Sequence, residues 1–214
     1  MSEKQNIIEI TNLLEVVNHV EGLNVILFDM DDTLYSEKEY VRSGYFEISR
    51  MFPNDKHAEE ALWNLFCDGK KAIDEYLIQE NIFTPVMKEK CLNIYRFNKP
   101  NIHLYAGVRK MLEKLRENYQ LGLITDGRPE GQRAKIEVLG LQELFDEIII
   151  TDELGGSKYR KPNSEAFCRM AKKFNQEYSR MCYVGDNINK DFIAPQMLGM
   201  KCIWFKNSDG LYYE

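Results

Sequence analysis

Residues 25–34 read Val-Ile-Leu-Phe-Asp-Met-Asp-Asp-Thr-Leu, an apolar run that ends in three carboxylates and a threonine. Closely spaced anions repel one another and each is costly to desolvate, so a buried strand ending this way calls for a compensating cation. In an extended strand residues i and i+2 share a face, so Asp29 and Asp31 project together while Met30 points away. A metal ion and a phosphate group suit that arrangement. Alone, an acidic pair after a strand is an ordinary turn, and the meaning of this one depends on what lies downstream.

Three later segments answer it. Thr125-Asp126-Gly127 offers a hydroxyl and a glycine-bearing turn whose amides can bind anion oxygens. Gly185-Asp186-Asn187, followed by Asp191, is a second acidic cluster able to complete a site for a hard cation. Arg160-Lys161-Pro162 sets an ammonium just ahead of a helix, where the proline helps to hold it. Each fragment has a bland reading as a turn or a solvated helix start. Together, at the carboxyl ends of one sheet, they converge, and Lys161 with a divalent cation balances the carboxylates.

The elements that must position them follow from periodicity. Residues 11–21 predict a short amphipathic helix capped by Thr11 or Asn12, leading to a strand over 24–29. From Ser36 to Asn98 the apolar residues come at helical spacing, with breaks at Pro53-Asn54, Asp68-Gly69 and Thr84-Pro85 that divide the stretch into about four helices. After Pro100 helices over 107–117, 130–139, 163–174 and 190–198 alternate with strands over 120–125, 146–151, 180–185 and 200–205. Such alternation implies parallel strands joined by right-handed crossovers. The expected fold is α/β, a doubly wound parallel, Rossmann-like sheet with an inserted helical domain. Ligands of such sheets bind beyond the carboxyl ends of the strands.

The chain has 214 residues, 44% of them hydrophobic, enough for a core with a smaller inserted domain. A formal net charge of -6 argues against a general nucleic-acid binder. Five cysteines (Cys67, Cys91, Cys168, Cys182, Cys202) contain no C-x-x-C pair and read as reduced residues of a cytoplasmic protein. No secretory signal or membrane-spanning run is visible, so the expectation is a soluble protein without membrane association. His19, His57 and His103 show no ligand spacing.

The sequence resembles the haloacid dehalogenase-like (HAD) superfamily of hydrolases. Asp29-Met30-Asp31-Asp32-Thr33 resembles the first motif, D-x-D-x-T; Thr125 fits the second, Lys161 the third, and Gly185-Asp186 through Asp191 the fourth, G-D-x-x-x-x-D. The resemblance spans about residues 23–205, and the helical insertion is similar to the cap of one large branch. It implies a core of 1–34 with 104–214 and a cap of 35–103. Asp126 departs from the pattern, since many relatives carry asparagine there.

What the resemblance implies is phosphatase chemistry. Asp29 is the expected nucleophile, forming an aspartyl-phosphate. Mg²⁺ is the expected cofactor, held by Asp29, the Asp31 carbonyl and Asp186. Asp31 is the expected proton donor and acceptor, with a pKa raised by the neighbouring anions. Thr125, Asp126, Gly127 and Lys161 are expected around the phosphate, with Asn187 and Asp191 orienting Lys161 and metal-bound water. Asp32 is read as architecture of the turn, and Tyr35, Tyr40, Arg42 and Tyr45 either line the entrance or pack in the insertion.

The expected substrate is a small phosphomonoester, a sugar phosphate or nucleoside monophosphate. A dehalogenase of the same superfamily has no leaving alkoxide to protonate, so Asp31 favours phosphate chemistry. A phosphomutase shares these core residues and remains an alternative, as does a catalytically silent module on the same fold. A phosphoryl-receiver domain places its acidic pair on a separate strand, contrary to the order here.

Overall fold

The strand predicted at the start of the first motif is Val25–Phe28, and all of its side chains are buried. A run with no polar alternation suits a strand covered on both faces, the usual lot of a central parallel strand. The computed structural model describes residues 7–211, so residues 1–6 and 212–214 of the expected core lie outside the described range. Within it β1 (Ile8–Ile10), β2 (Val25–Phe28), β3 (Gln120–Thr125), β4 (Glu147–Ile150), β5 (Met181–Gly185) and β6 (Lys201–Phe205) form one sheet in the order β1-β6-β5-β2-β3-β4. Every pairing is parallel. The chain winds outward from β2 to β3 and β4, then returns to β5 and β6 on the other side of β2. The ends of β3, β2 and β5 are therefore neighbours at the point where the winding reverses.

Helices α5 (Val108–Arg116), α6 (Pro129–Leu139), α7 (Glu165–Phe174) and α8 (Ile193–Leu198) make the crossovers. In α7 the buried residues Ala166, Phe167, Met170, Ala171 and Phe174 form one stripe, while Arg169, Lys172 and Lys173 are exposed. That stripe packs with Val25, Leu27, Ile124, Met181 and Tyr183 in one core cluster. Asn175 ends α7 in the left-handed conformation at φ 50°.

Two elements differ from the sequence reading. The segment 11–21 is a 3₁₀ helix over Leu13–Asn18, capped by the Asn12 side chain. Strand β1 was not expected; three residues are too few to show a period, and its pairing with β6 is a long-range contact.

Lys38–Ile102 is a second compact unit, and the chain on either side of it forms the first. It contains most of α1 (Glu37–Ser49), with α2 (Ala58–Cys67), α3 (Ala72–Gln79) and α4 (Pro85–Phe97). Its core joins Val41, Tyr45, Ile48, Leu62, Leu65, Tyr76, Leu77 and Cys91. Pro85 opens α4 behind the Thr84 side chain, which accepts a hydrogen bond from the Met87 amide at 3.0 Å. Among the described residues no helix is long and apolar enough to cross a membrane.

Gly122 in β3 shows how closely α7 lies on the sheet. A Cβ there would stand 2.6 Å from Leu27 Cδ2 and 3.1 Å from Met170 Sδ, both on fully buried side chains. Gly122→Val is expected to lower the unfolding free energy by about 1–3 kcal/mol through overpacking. A fall in the urea midpoint at unchanged m-value checks this; an unchanged midpoint contradicts the close packing.

Candidate active site

The loop after β2 places the first motif. Asp29 N donates to Val184 O of β5 at 2.8 Å, extending the sheet one residue beyond β2. The chain then turns sharply, with Leu34 N donating to Met30 O at 2.9 Å. Asp32 adopts a left-handed conformation at φ 53°, uncommon for a residue with a side chain and tolerated best by Asp and Asn. Its carboxylate accepts from Glu37 N and Leu211 N, each at 2.7 Å, and its carbonyl accepts from Asn207 Nδ2 at 2.7 Å. Asp32 thus holds the loop in shape.

Asp29 is nearly enclosed, and Lys161 Nζ donates to its Oδ1. The same ammonium pairs with Asp191 Oδ1 at 2.9 Å and donates to the Tyr183 hydroxyl at 2.8 Å, with side-chain exposure of 0% for both Lys161 and Asp191. Burial opposes the charge on Lys161, but Asp191 and Asp29 outweigh it and hold its pKa well above the ordinary lysine value. Asp191 Oδ2 accepts from Asn187 N at 3.0 Å. Asp191 therefore bridges the Lys161 ammonium and the Asn187 amide. The Asn187 side chain instead turns to the amide of Asn189 at 3.0 Å and shapes its own turn.

Gly185 makes room for this. A Cβ on it would lie 2.5 Å from Asp191 Oδ2. Asp186 follows, accepting from Thr33 Oγ1 at 3.2 Å, and its carbonyl accepts from the Trp204 indole at 2.7 Å. One carboxylate oxygen from each of Asp29, Asp186 and Asp191 lies within 4.8 Å of the others, all three residues buried. Burial, then the charges of Asp29 and Asp191, push the Asp186 carboxyl up to about 9. Burial likewise raises Asp29 to about 7 despite Lys161 beside it. Such crowded, desolvated oxygens could hold a hard divalent cation, whose charge would relieve both effects. The residues present fit Mg²⁺, with Asp29 and Asp186 as the carboxylates open to it, since Asp191 is committed to Lys161 and the Asn187 amide.

Asp31 has different company. Tyr35 Oη donates to its Oδ1, Lys135 Nζ reaches the same oxygen at 2.6 Å, and Gln132 Nε2 donates to Oδ2 at 2.8 Å. Gln132 also donates to Thr125 Oγ1. The sequence reading expected neighbouring anions to raise the Asp31 pKa. The structure shows the reverse: burial does push upward, but the Lys135 charge and the three hydrogen bonds prevail and lower it. Lys135 lies 104 residues downstream on α6, outside every motif, and was missed with Gln132, whereas Tyr35, expected to line the entrance or pack in the insertion, is a partner of Asp31.

The second strand end is also more internal than expected. Thr125 is fully buried. Asp126 Oδ1 accepts from Thr151 Oγ1 at 2.8 Å and from Lys161 N at 3.1 Å, and Oδ2 pairs with Lys190 at 3.4 Å. The Asp126 carboxylate is therefore used to fix the Lys161 loop. Gly127, at φ 144°, lies under Gln132, whose Cγ and Cδ would be 3.1 Å from an added Cβ. Tyr45 is in the core of the second unit, and Arg42 pairs with Glu59 and Glu60.

A cavity of about 370 Å³ opens onto this constellation, lined by Asp29, Asp31, Glu37, Asp126, Arg160, Lys161, Asp186 and Lys190. Glu37, Arg160 and Lys190 were not singled out as contributing to it by the sequence. Burial and the nearby Asp31 charge raise the Glu37 carboxyl to about 8. Arg160 is held by Asp152 through two hydrogen bonds of 2.7 Å.

A family model described as haloacid dehalogenase-like hydrolase matches residues 26–205. Over 101 residues the chain is 40% identical to a glyceraldehyde 3-phosphate phosphatase of Pyrococcus abyssi; the match spans 47% of this chain and 41% of that protein, under half its length. A protein of the same name from Methanocaldococcus jannaschii is 29% identical over 82% of this chain and 81% of its own. Among solved structures, a HAD-superfamily hydrolase from Geobacter sulfurreducens shares the fold with a TM-score of 0.66 at 16% identity, covering 87% of this chain and 89% of its own.

The donor set makes a prediction that is independent of turnover. Mg²⁺ is expected to stabilise the protein by about 2.7 kcal/mol at roughly 100 times its Kd, because the unfolded chain lacks the site. Asp186→Asn is expected to lose most of that increment while making the metal-free protein no less stable, since it removes a crowded carboxylate. Thermal melts with and without Mg²⁺ check both; a full Mg²⁺ shift in the variant contradicts the ligand assignment.

Proposed function

The chain belongs to the haloacid dehalogenase-like hydrolase family, and from that premise we propose that it is a Mg²⁺-dependent phosphatase of small phosphomonoesters working through an aspartyl-phosphate. The observation that carries this reading is the placement of two carboxylates, two residues apart, in different electrostatic settings. Asp29 stands with Lys161 and the acidic cluster, while Asp31 is held by Lys135, Gln132 and Tyr35. Paired carboxylates in unlike environments suit a nucleophile and a proton-transfer group.

A phosphomonoester repels anionic nucleophiles, so the site must neutralise it and align the attack. When bound, Mg²⁺ supplies positive charge to the phosphate and to the carboxylates of Asp29 and Asp186. Asp29 attacks phosphorus as the ester P–O bond breaks, and Lys161 fixes the attacking carboxylate. Asp31 delivers a proton to the leaving oxygen. The charge of an arriving phosphate raises the Asp31 pKa and so favours the protonated form that this step needs. Asp31 then takes a proton from the water that attacks the phospho-enzyme, and Asp29 is regenerated as phosphate leaves. Thr125 and the turn at Asp126-Gly127 hold phosphate oxygens in this reading, and Asp31 lends its carbonyl to the metal.

The cavity volume suits a small substrate. The names of the relatives add a three-carbon phosphate to the sugar phosphates and nucleoside monophosphates already expected. In this reading Lys38–Ile102 is the cap that sets selectivity. The free thiols of all five cysteines support a cytoplasmic location.

Phosphate release measured across a panel of these esters tests the proposal. Activity is expected with Mg²⁺ and not with a chelator. Asp29→Asn is expected to abolish it, and Asp31→Asn to slow it by about 10²–10⁴-fold while keeping the Mg²⁺ thermal shift. Undiminished turnover by Asp29→Asn overturns the covalent route, and no release by the wild-type protein from any ester favours a silent module.

A further inference from the structure

The inward face of α6 carries two polar residues where a crossover helix normally buries only apolar ones. Gln132 and Lys135 are buried beside Ile136 and Leu139, and the Lys135 side chain is 6% exposed. At i and i+3 they share a face of the helix. Placing an ammonium there costs several kcal/mol unless it is well paired. Its carboxylate partner is Asp31, at 2.6 Å.

We propose that Gln132 and Lys135 are positioning residues that aim the Asp31 carboxylate for proton transfer. This inference rests on the phosphatase reading of the site. Each residue takes a different oxygen of Asp31, Lys135 taking Oδ1 and Gln132 taking Oδ2. Two donors from one rigid helix, each on its own oxygen, fix both the place and the plane of the carboxylate. Gln132 is itself fixed, because the same Nε2 donates to Thr125 Oγ1 at the end of β3. Gly127 leaves the space that the Gln132 side chain occupies. Tyr35 completes the clamp from the catalytic loop, with Lys135 Nζ 5.8 Å from the centre of its ring. One helix thus ties the proton-transfer group to the strand end that offers the phosphate-binding hydroxyl.

A positioning role predicts dependence on the leaving group. An ester with a weakly basic leaving group, such as p-nitrophenyl phosphate, needs little help from a general acid, whereas an alkyl phosphate needs much. The experiment compares kcat/KM for p-nitrophenyl phosphate and for the best alkyl phosphate of the panel in wild type, Lys135→Met and Gln132→Met, with melting curves to establish folding. The expected result is a loss on the alkyl ester at least about tenfold larger than on the aryl ester. Equal or smaller losses on the alkyl ester, or none, overturn the positioning role and leave the phosphatase reading intact. A wild-type protein inactive on every ester overturns that reading and this one with it. If Lys135→Met does not fold, Gln132→Met carries the comparison alone.

Discussion

The Lys161 ammonium, without solvent exposure and shared by Asp29 and Asp191, is the constraint on which the site depends. A charge so placed is tolerable only with its partners in position, and each partner comes from a different part of the chain. Asp29 follows β2, Asp191 follows β5, and Lys161 precedes α7. They meet because β5 and β2 are neighbours, although Phe28 and its pairing partner Val184 at the site end stand 156 positions apart in the sequence. The small residue at Gly185 and the carboxylate of Asp126 on the Lys161 amide complete the fit. The ion cluster therefore reports the sheet order: with another order the same residues would be isolated buried charges.

A second buried ammonium divides the site. Lys161 serves Asp29, and Lys135 serves Asp31. The two carboxylates are separated by one residue, yet burial raises the first to about 7 while Lys135 and its hydrogen-bonding companions lower the second. Proximity in sequence is thus a poor guide to their chemistry. Their environments come from opposite sides of β2, one through the winding towards β5 and the other through the winding towards β3 and α6.

That asymmetry also explains what was legible in the sequence. The α/β alternation after Pro100 was readable because each helix has an apolar stripe and each central strand an apolar run, as in α7 and β2. Asp29, Asp186 and Asp191 were readable because strand ends in such a sheet converge, and Lys161 because an ammonium set ahead of a helix answers their charge. Lys135 and Gln132 were not, because a glutamine and a lysine in an amphipathic helix read as its solvated face. Only the three-dimensional path of α6 turns them inward. The Asp31 environment was misjudged for that reason, since its acidic neighbours are adjacent in sequence and its cation is not. Strand β1 was missed because its pairing with β6 supplies what three residues cannot show by themselves.

Asp32 gives the arrangement its remaining logic. It lies between Asp31 and Thr33 and adopts a left-handed conformation there. Its own oxygens hold the amide of Glu37, the residue at which the chain leaves for Lys38–Ile102, and the amide of Leu211 near the other end of the chain. A third hydrogen bond, from Asn207 to its carbonyl, continues to the Tyr105 hydroxyl on the returning segment. An inserted unit must leave and rejoin its host without disturbing the loop it interrupts. Here one buried aspartate, with no part in the proposed chemistry, fixes the departure, while its asparagine partner reaches the return. The cost of a third carboxylate beside two reactive ones is offset by backbone donors that leave it no need of the metal or of either lysine.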